Sequence, residues 1–254
     1  MHPDPTTRFS NRVNDYLRYR PRYPEGLVSL IARETGLDES WNVADIGSGT
    51  GFSAIPFLEN GNKVFGVEPN AAMREAATAL LATYQGFISV EGRAEATALE
   101  SDSVDMVIAG QAFHWFDRTA AASEFKRILR RPQWVVLFWN ARRTSSTPFL
   151  EAYEHLLLRH GTDYDKVRHD NIRGEEIDAF FGVPAVSSQL EYAQDVDFDS
   201  LRGRLLSSSY VPPQGDPACD AMLDDLAEIF TRHSRNGYVR IEYDTMIFLA
   251  TLPG

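Results

Sequence analysis

Short apolar runs separated by helix-compatible stretches fill the first half of this 254-residue chain and constrain its fold more than any other feature. The runs are Trp41 to Ile46, Lys63 to Val67, Phe87 to Val90, Val104 to Ala109 and Gln133 to Trp139. Helices are expected at Phe52 to Glu59, at Asn70 to Tyr84 with Asn70 as N-cap, and at Ala120 to Arg130. Pro56 should bend the first of these. Apolar runs this short, alternating with helices, belong in a mostly parallel sheet covered on both faces, so the class is α/β. Hydrophobic residues at 43% and charged residues at 24% are globular values that argue against disorder.

Beyond Asn140 the rhythm breaks. Pro148 to His160, Leu201 to Tyr210 and Ala218 to His233 read as helices, while Val186 to Phe198 and Tyr238 to Leu252 read as strands. Upstream, Asn11 to Arg20 and Gly26 to Thr35 read as helices, the first stopped by Pro21 and Pro24 and the second closed at Gly36. The chain is therefore expected to form one domain over 1–254. Lid helices are expected over about 8–36 and a helical, lid-like insertion after strand five over about 141–182.

Charge narrows the partners. The formal charge is −11, so the surface repels phosphate backbones, and nucleic acid is not an expected partner. No stretch approaches 18 uninterrupted apolar residues, and the polar start holds no apolar signal core, so no membrane partner is expected. The single cysteine, Cys219, fits a reducing cytoplasm. His155 and His160 are five residues apart, off one helix face and without a Cys/His set around them, so no metal is expected. Against the acidic whole, the first 24 residues carry Arg8, Arg12, Arg18, Arg20 and Arg22 opposed only by Asp4 and Asp15. Oligomeric state is not legible.

Function concentrates after the first apolar run, in Asp45-Ile46-Gly47-Ser48-Gly49-Thr50-Gly51. A glycine turn that follows a strand and opens a helix lets the backbone approach a ligand closely. The spacing is G-x-G-x-G, and Phe52 stands where a dinucleotide fingerprint would need its last glycine. Strand two ends at Glu68, 17 residues after Gly51, where a carboxylate can accept both hydrogen bonds of a ribose diol.

These residues resemble the class I S-adenosylmethionine-dependent methyltransferases, and the chain reads as a Rossmann-like fold of that type. The resemblance implies S-adenosylmethionine as cofactor, held by Asp45, Gly47, Ser48, Gly49, Gly51 and Glu68. It places adenine contacts at Ala94 and Glu95, and puts Gln111, at the end of strand four, beside the sulfonium. Two segments, Tyr16 to Pro24 and His114-Trp115-Phe116, are similar to the trans-aconitate-methyltransferase-like branch. There the N-terminal segment closes over the cofactor, which implies lid or substrate roles for Tyr16, Tyr19, Arg20, Arg22, Tyr23 and Trp115. The resemblance spans roughly Arg8 to Asn140. One departure is Arg131-Pro132-Gln133-Trp134, where the family carries Lys-Pro-Gly-Gly ahead of strand five.

Methyl transfer requires an acceptor lone pair held in line with the methyl carbon, so the expected activity is transfer to a small molecule, a carboxylate among the candidates. His114 is the candidate general base; the other reading is a histidine packed between Phe113 and Trp115. Phe113, Trp115 and Phe116 either face the sulfonium or fill the core. The N-terminal arginines either clasp a substrate carboxylate or form a solvated basic helix. The competing functions are a nicotinamide-dependent dehydrogenase, which Phe52 disfavours, and a non-catalytic S-adenosylmethionine-binding protein.

Overall fold

The computed structural model describes residues 19–162, 164, 174–208 and 210–253. Tyr16 and most of the first expected helix lie outside them, as does part of the segment before residue 174. Helix α1 (Gly26–Thr35) ends on Gly36, whose N–H reaches the Ala32 carbonyl. The chain then runs through β1 (Asn42–Ile46), α2 (Ile55–Glu59), β2 (Lys63–Val67), α3 (Ala71–Leu80), β3 (Phe87–Val90) and β4 (Val104–Gly110). A 3-10 turn (Phe113–Trp115), α4 (Arg118–Ile128) and β5 (Leu129–Arg142) follow. The last part comprises α5 (Pro148–His160), α6 (Gly174–Phe181), β6 (Val186–Val196), α7 (Phe198–Leu206), α8 (Pro217–His233) and β7 (Val239–Thr251).

Among the described residues the strands form one sheet of seven in the order β3-β2-β1-β4-β5-β7-β6. The pairings from β3 through β5 are parallel, and β7 runs antiparallel between β5 and β6. This is a Rossmann-like fold, with the order reversing between β1 and β4. Adjacent strand residues point to opposite faces. Val43, Met106, Ile108 and Val136 pack under α1 and α2. Ala44, Val107, Ala109 and Val135 pack with Phe125 of α4 and Phe180 of α6 on the other face.

Several expectations change in detail. Pro56 does not bend a helix, because α2 starts only at Ile55 and places the proline in its first turn, where no backbone donor is needed. Asn70 caps α3 as expected, its side-chain oxygen accepting from the Met73 N–H at 3.1 Å. Strand five is twice the expected length, and Arg131 to Trp134 lies inside it rather than before it. Gln133 takes a positive φ of 67°, a left-handed conformation that glycine adopts readily, at the end of β5 remote from the glycine turn. In the tail of the expected insertion α6 buries Ile177, Phe180 and Phe181 against the sheet. Helix α5 packs instead with α7, α8 and the start of β7, around Leu150, Leu157, Leu201, Met222 and Ile241. No described helix is long and apolar enough to cross a membrane.

Candidate functional site

The carboxyl end of β1 runs into the glycine turn, and the hydrogen bonds of the turn fix its shape. Gly47 and Ser48 donate their N–H groups to the Val67 carbonyl at 2.9 and 3.2 Å, which ties the turn to β2. Gly47, Gly49 and Gly51 have φ of 69°, 54° and 88°, values that bulkier residues adopt only at a cost. Space matters as well as angle. A Cβ on Gly47 would lie 2.7 Å from the Ala112 methyl, and one on Gly51 would lie 2.6 Å from Leu81. At Gly49 nothing lies within 4 Å, so the crest of the turn faces open space.

Two carboxylates frame that space. Glu68 is nearly buried; its Oε2 accepts from the Gly49 N–H at 3.0 Å and its Oε1 from the Asn70 N–H at 2.8 Å. Burial pushes its pKa up, opposed by those two N–H groups and by Arg74. Each carboxylate oxygen has a further lone pair, so the group can position the turn and still accept from a diol. Asp45 is fully buried. Its Oδ2 accepts from Ser53 Oγ at 2.6 Å, and its Oδ1 has no partner among the described residues. Burial, and to a smaller degree the nearby Glu68 charge, push its pKa up to about 7 against the pull of Ser53. An open crest, a bidentate acid and an unsatisfied buried oxygen fit a ligand that brings a diol and a positively charged donor, and S-adenosylmethionine brings both.

The other expected residues divide. Ala94 is buried, while Glu95 accepts from the Asp117 N–H at 2.8 Å and so ties the loop after β3 to the start of α4. Gln111 sits at φ 61°, its N–H on the Phe138 carbonyl at 3.0 Å and its Oε1 buried without a partner among the described residues. A non-glycine residue held in the left-handed region costs on the order of 1–2 kcal/mol, a strain often found at functional sites. Tyr23 meets the Phe138 ring edge-on at 4.7 Å and lies beside Gly110. Tyr19 lies flat against Gly203, where an added Cβ would be 2.1 Å from its ring. Arg22 is exposed, its guanidinium 5.9 Å from the Phe52 ring centre, and its carbonyl accepts from Asn140.

Around the 3-10 turn the aromatic residues part ways. Phe113 packs 5.0 Å from Phe180 in the core, so it does not face a ligand. Phe116 flanks Gly47. His114 is exposed beside Trp115, ring centres 4.7 Å apart. Neither lines the cavity described next.

That cavity, of about 100 Å³, opens at the carboxyl ends of β4 and β5 and takes in Arg20, Gln111, Arg142, Tyr153, Arg204 and Tyr243. Arg142 forms a close ion pair with Glu154 and donates to Tyr164 Oη at 3.0 Å. Burial and the neighbouring Arg142 act in opposite directions on the Tyr153 phenol, and burial prevails, so its pKa rises. Arg142, Tyr153, Arg204 and Tyr243 were invisible in the sequence: they come from β5, α5, α7 and β7, and no local spacing links them. Among the described residues no group of His, Cys, Asp and Glu could hold a metal ion.

A sheet of this order, with a G-x-G-x-G turn at the switch point and an acid ending β2, can be set beside known proteins. Residues 44–137 match the methyltransferase domain family. More particularly, the chain is 26% identical over 248 residues to an uncharacterized methyltransferase-like protein of Schizosaccharomyces pombe, spanning 94% of this chain and 93% of that one. An uncharacterized methyltransferase of Mycobacterium tuberculosis is 32% identical over 139 residues, which is 55% of this chain and 54% of the relative. The solved structure of a protein assigned as a type II methyltransferase from Anaeromyxobacter dehalogenans shares the fold, with TM-score 0.69 and 21% identity, over 92% of this chain and 98% of that one.

Proposed function

We propose that this protein transfers the methyl group of S-adenosylmethionine to a small-molecule acceptor of the kind used by the trans-aconitate-methyltransferase-like branch, a carboxylate among the candidates. The observation that carries the reading is the juxtaposition of the two sites. Gln111 and Ala112 lead from the polar cavity straight onto Gly47, so an acceptor and a cofactor share one sheet edge. When bound, the cofactor supplies a methyl group on a sulfonium. The protein supplies orientation: Glu68 and the glycine turn hold the nucleoside end, and Gln111 borders both compartments. Arg20, Pro21 and Tyr23 close the upper side, with Arg20 donating to the Ser207 carbonyl at 3.4 Å and Asn140 donating to the Arg22 carbonyl at 3.1 Å. His114, exposed and outside the cavity, serves in packing rather than as a base. We place the protein in the cytoplasm on the ground of its single cysteine.

Calorimetry with S-adenosylmethionine and S-adenosylhomocysteine, followed by a methyl-transfer screen of carboxylates, phenols and amines, tests the reading. Saturable binding of both ligands and turnover of a small acceptor are expected. Failure of either ligand to bind would overturn it.

A further inference from the structure

We propose that Arg204 selects the acceptor by charge, seating one anionic group of a small molecule in the cavity beyond Gln111; this rests on the methyltransferase reading above. Every charged residue on the cavity wall is an arginine: Arg20, Arg142 and Arg204. They are not equivalent. Arg142 is already neutralised, because Glu154 stands behind it as a close ion partner. Among the described residues Arg204 is held by neutral groups only. Its Nε donates to the Tyr19 carbonyl at 2.9 Å, one terminal nitrogen to Tyr243 Oη at 2.6 Å and the other to Gln194 Oε1 at 2.5 Å.

Three neutral acceptors fix a guanidinium in place without cancelling its charge. Bringing a cation into a partly desolvated wall is costly unless something answers it, and a ligand anion would do so. The phenols of Tyr153 and Tyr243 add donors that suit the same anion. The cavity is small, about 100 Å³, so it admits the anionic end of a metabolite rather than a peptide or a lipid chain. The remainder of that molecule extends toward Gln111, whose unsatisfied Oε1 accepts from a hydroxyl or an amine. The anion is a carboxylate or a phosphonate-like group; both share the chemistry that Arg204 offers.

The test uses the full chain saturated with S-adenosylhomocysteine and titrated calorimetrically with malonate, methylphosphonate and the neutral malonamide. At least one anion should bind, and malonamide should not. Arg204→Gln should weaken the anion by about tenfold or more, and Arg204→Lys should fall between that variant and the parent. Glu154→Gln should tighten the anion, because it uncovers the charge of Arg142. A preference between malonate and methylphosphonate tells carboxylate from phosphonate. The proposal is overturned if no anion binds, if malonamide binds as well as malonate, if Arg204→Gln keeps parental affinity, or if Glu154→Gln fails to tighten. Should Arg204→Gln not fold, the Arg204→Lys and Glu154→Gln comparisons decide alone. Loss of anion binding with S-adenosylhomocysteine still bound strikes this inference only; loss of S-adenosylhomocysteine binding by the parent strikes the methyltransferase reading.

Discussion

Asp45→Asn should make the ligand-free protein more stable at neutral pH, and the gain should depend on pH. The carboxyl of Asp45 is fully buried, with Ser53 as its one hydrogen-bond donor among the described residues and the Glu68 charge nearby. Its pKa is about 7 in the fold against an ordinary 3.8. The folded state therefore keeps a proton that the unfolded chain gives up. Because the folded value is the higher one, the stabilisation is complete below about pH 4 and is lost as pH rises through about 7. Each pH unit is worth about 1.4 kcal/mol, so the whole effect is at most about 4 kcal/mol, and the share between pH 5 and pH 8 about 2–3 kcal/mol. Asparagine does not titrate and can still accept from Ser53. Urea unfolding of parent and variant at pH 5 and pH 8 measures the difference directly. The variant should gain about 1–3 kcal/mol on the parent between those conditions. An identical difference at both pH values would refute the argument.

Glu68→Ala removes the acceptor for the Gly49 and Asn70 N–H groups, and S-adenosylhomocysteine affinity by calorimetry should fall by about 1.5–3 kcal/mol. Gly47→Ala adds a methyl 2.7 Å from the Ala112 Cβ at a positive φ, so the thermal midpoint should drop by about 4–8 °C, and Ala112→Gly in the same chain should recover part of it. His114→Asn should leave turnover nearly unchanged, since a general base contributes about 100-fold or more and His114 is exposed; a loss of that size in the transfer assay would restore it as the base.

The parallel core was legible because burial on both faces leaves a run of apolar residues that periodicity detects, as at Val104 to Gly110. The shape of the glycine turn was legible because its glycines and Glu68 lie close in sequence at spacings set by one strand–turn–helix unit. The boundary between α4 and β5 was misplaced because Leu129 reads equally well as the end of a helix or the start of a strand. Its pairing with Val104, 25 residues earlier, decides the matter. The acceptor wall was hidden for a stronger reason. Arg142, Tyr153, Arg204 and Tyr243 meet only because the antiparallel β7 returns beside β5, a tertiary event without a local signature. Of the described arginines in the Arg/Tyr segment, Arg20 enters the cavity while Arg22 lies over Phe52.

Asn140 lies where two parts of the molecule meet, within the β5–β7 ladder. Its side chain accepts from Thr245 Oγ1 at 2.7 Å inside the sheet and donates to the Arg22 carbonyl on the entering segment. On one side of it lies the glycine-turn site, made from β1, β2 and β4. On the other stands a wall made from α5, α7 and β7, with an apolar cluster of its own. On the proposed reading, mutational drift in the wall would retune what is methylated while the glycine-turn site stays constant. The β5–β7 ladder, with Asn140 and Thr245 as one of its pairs, carries the alignment between the two parts, so variants that break this ladder should lose both together.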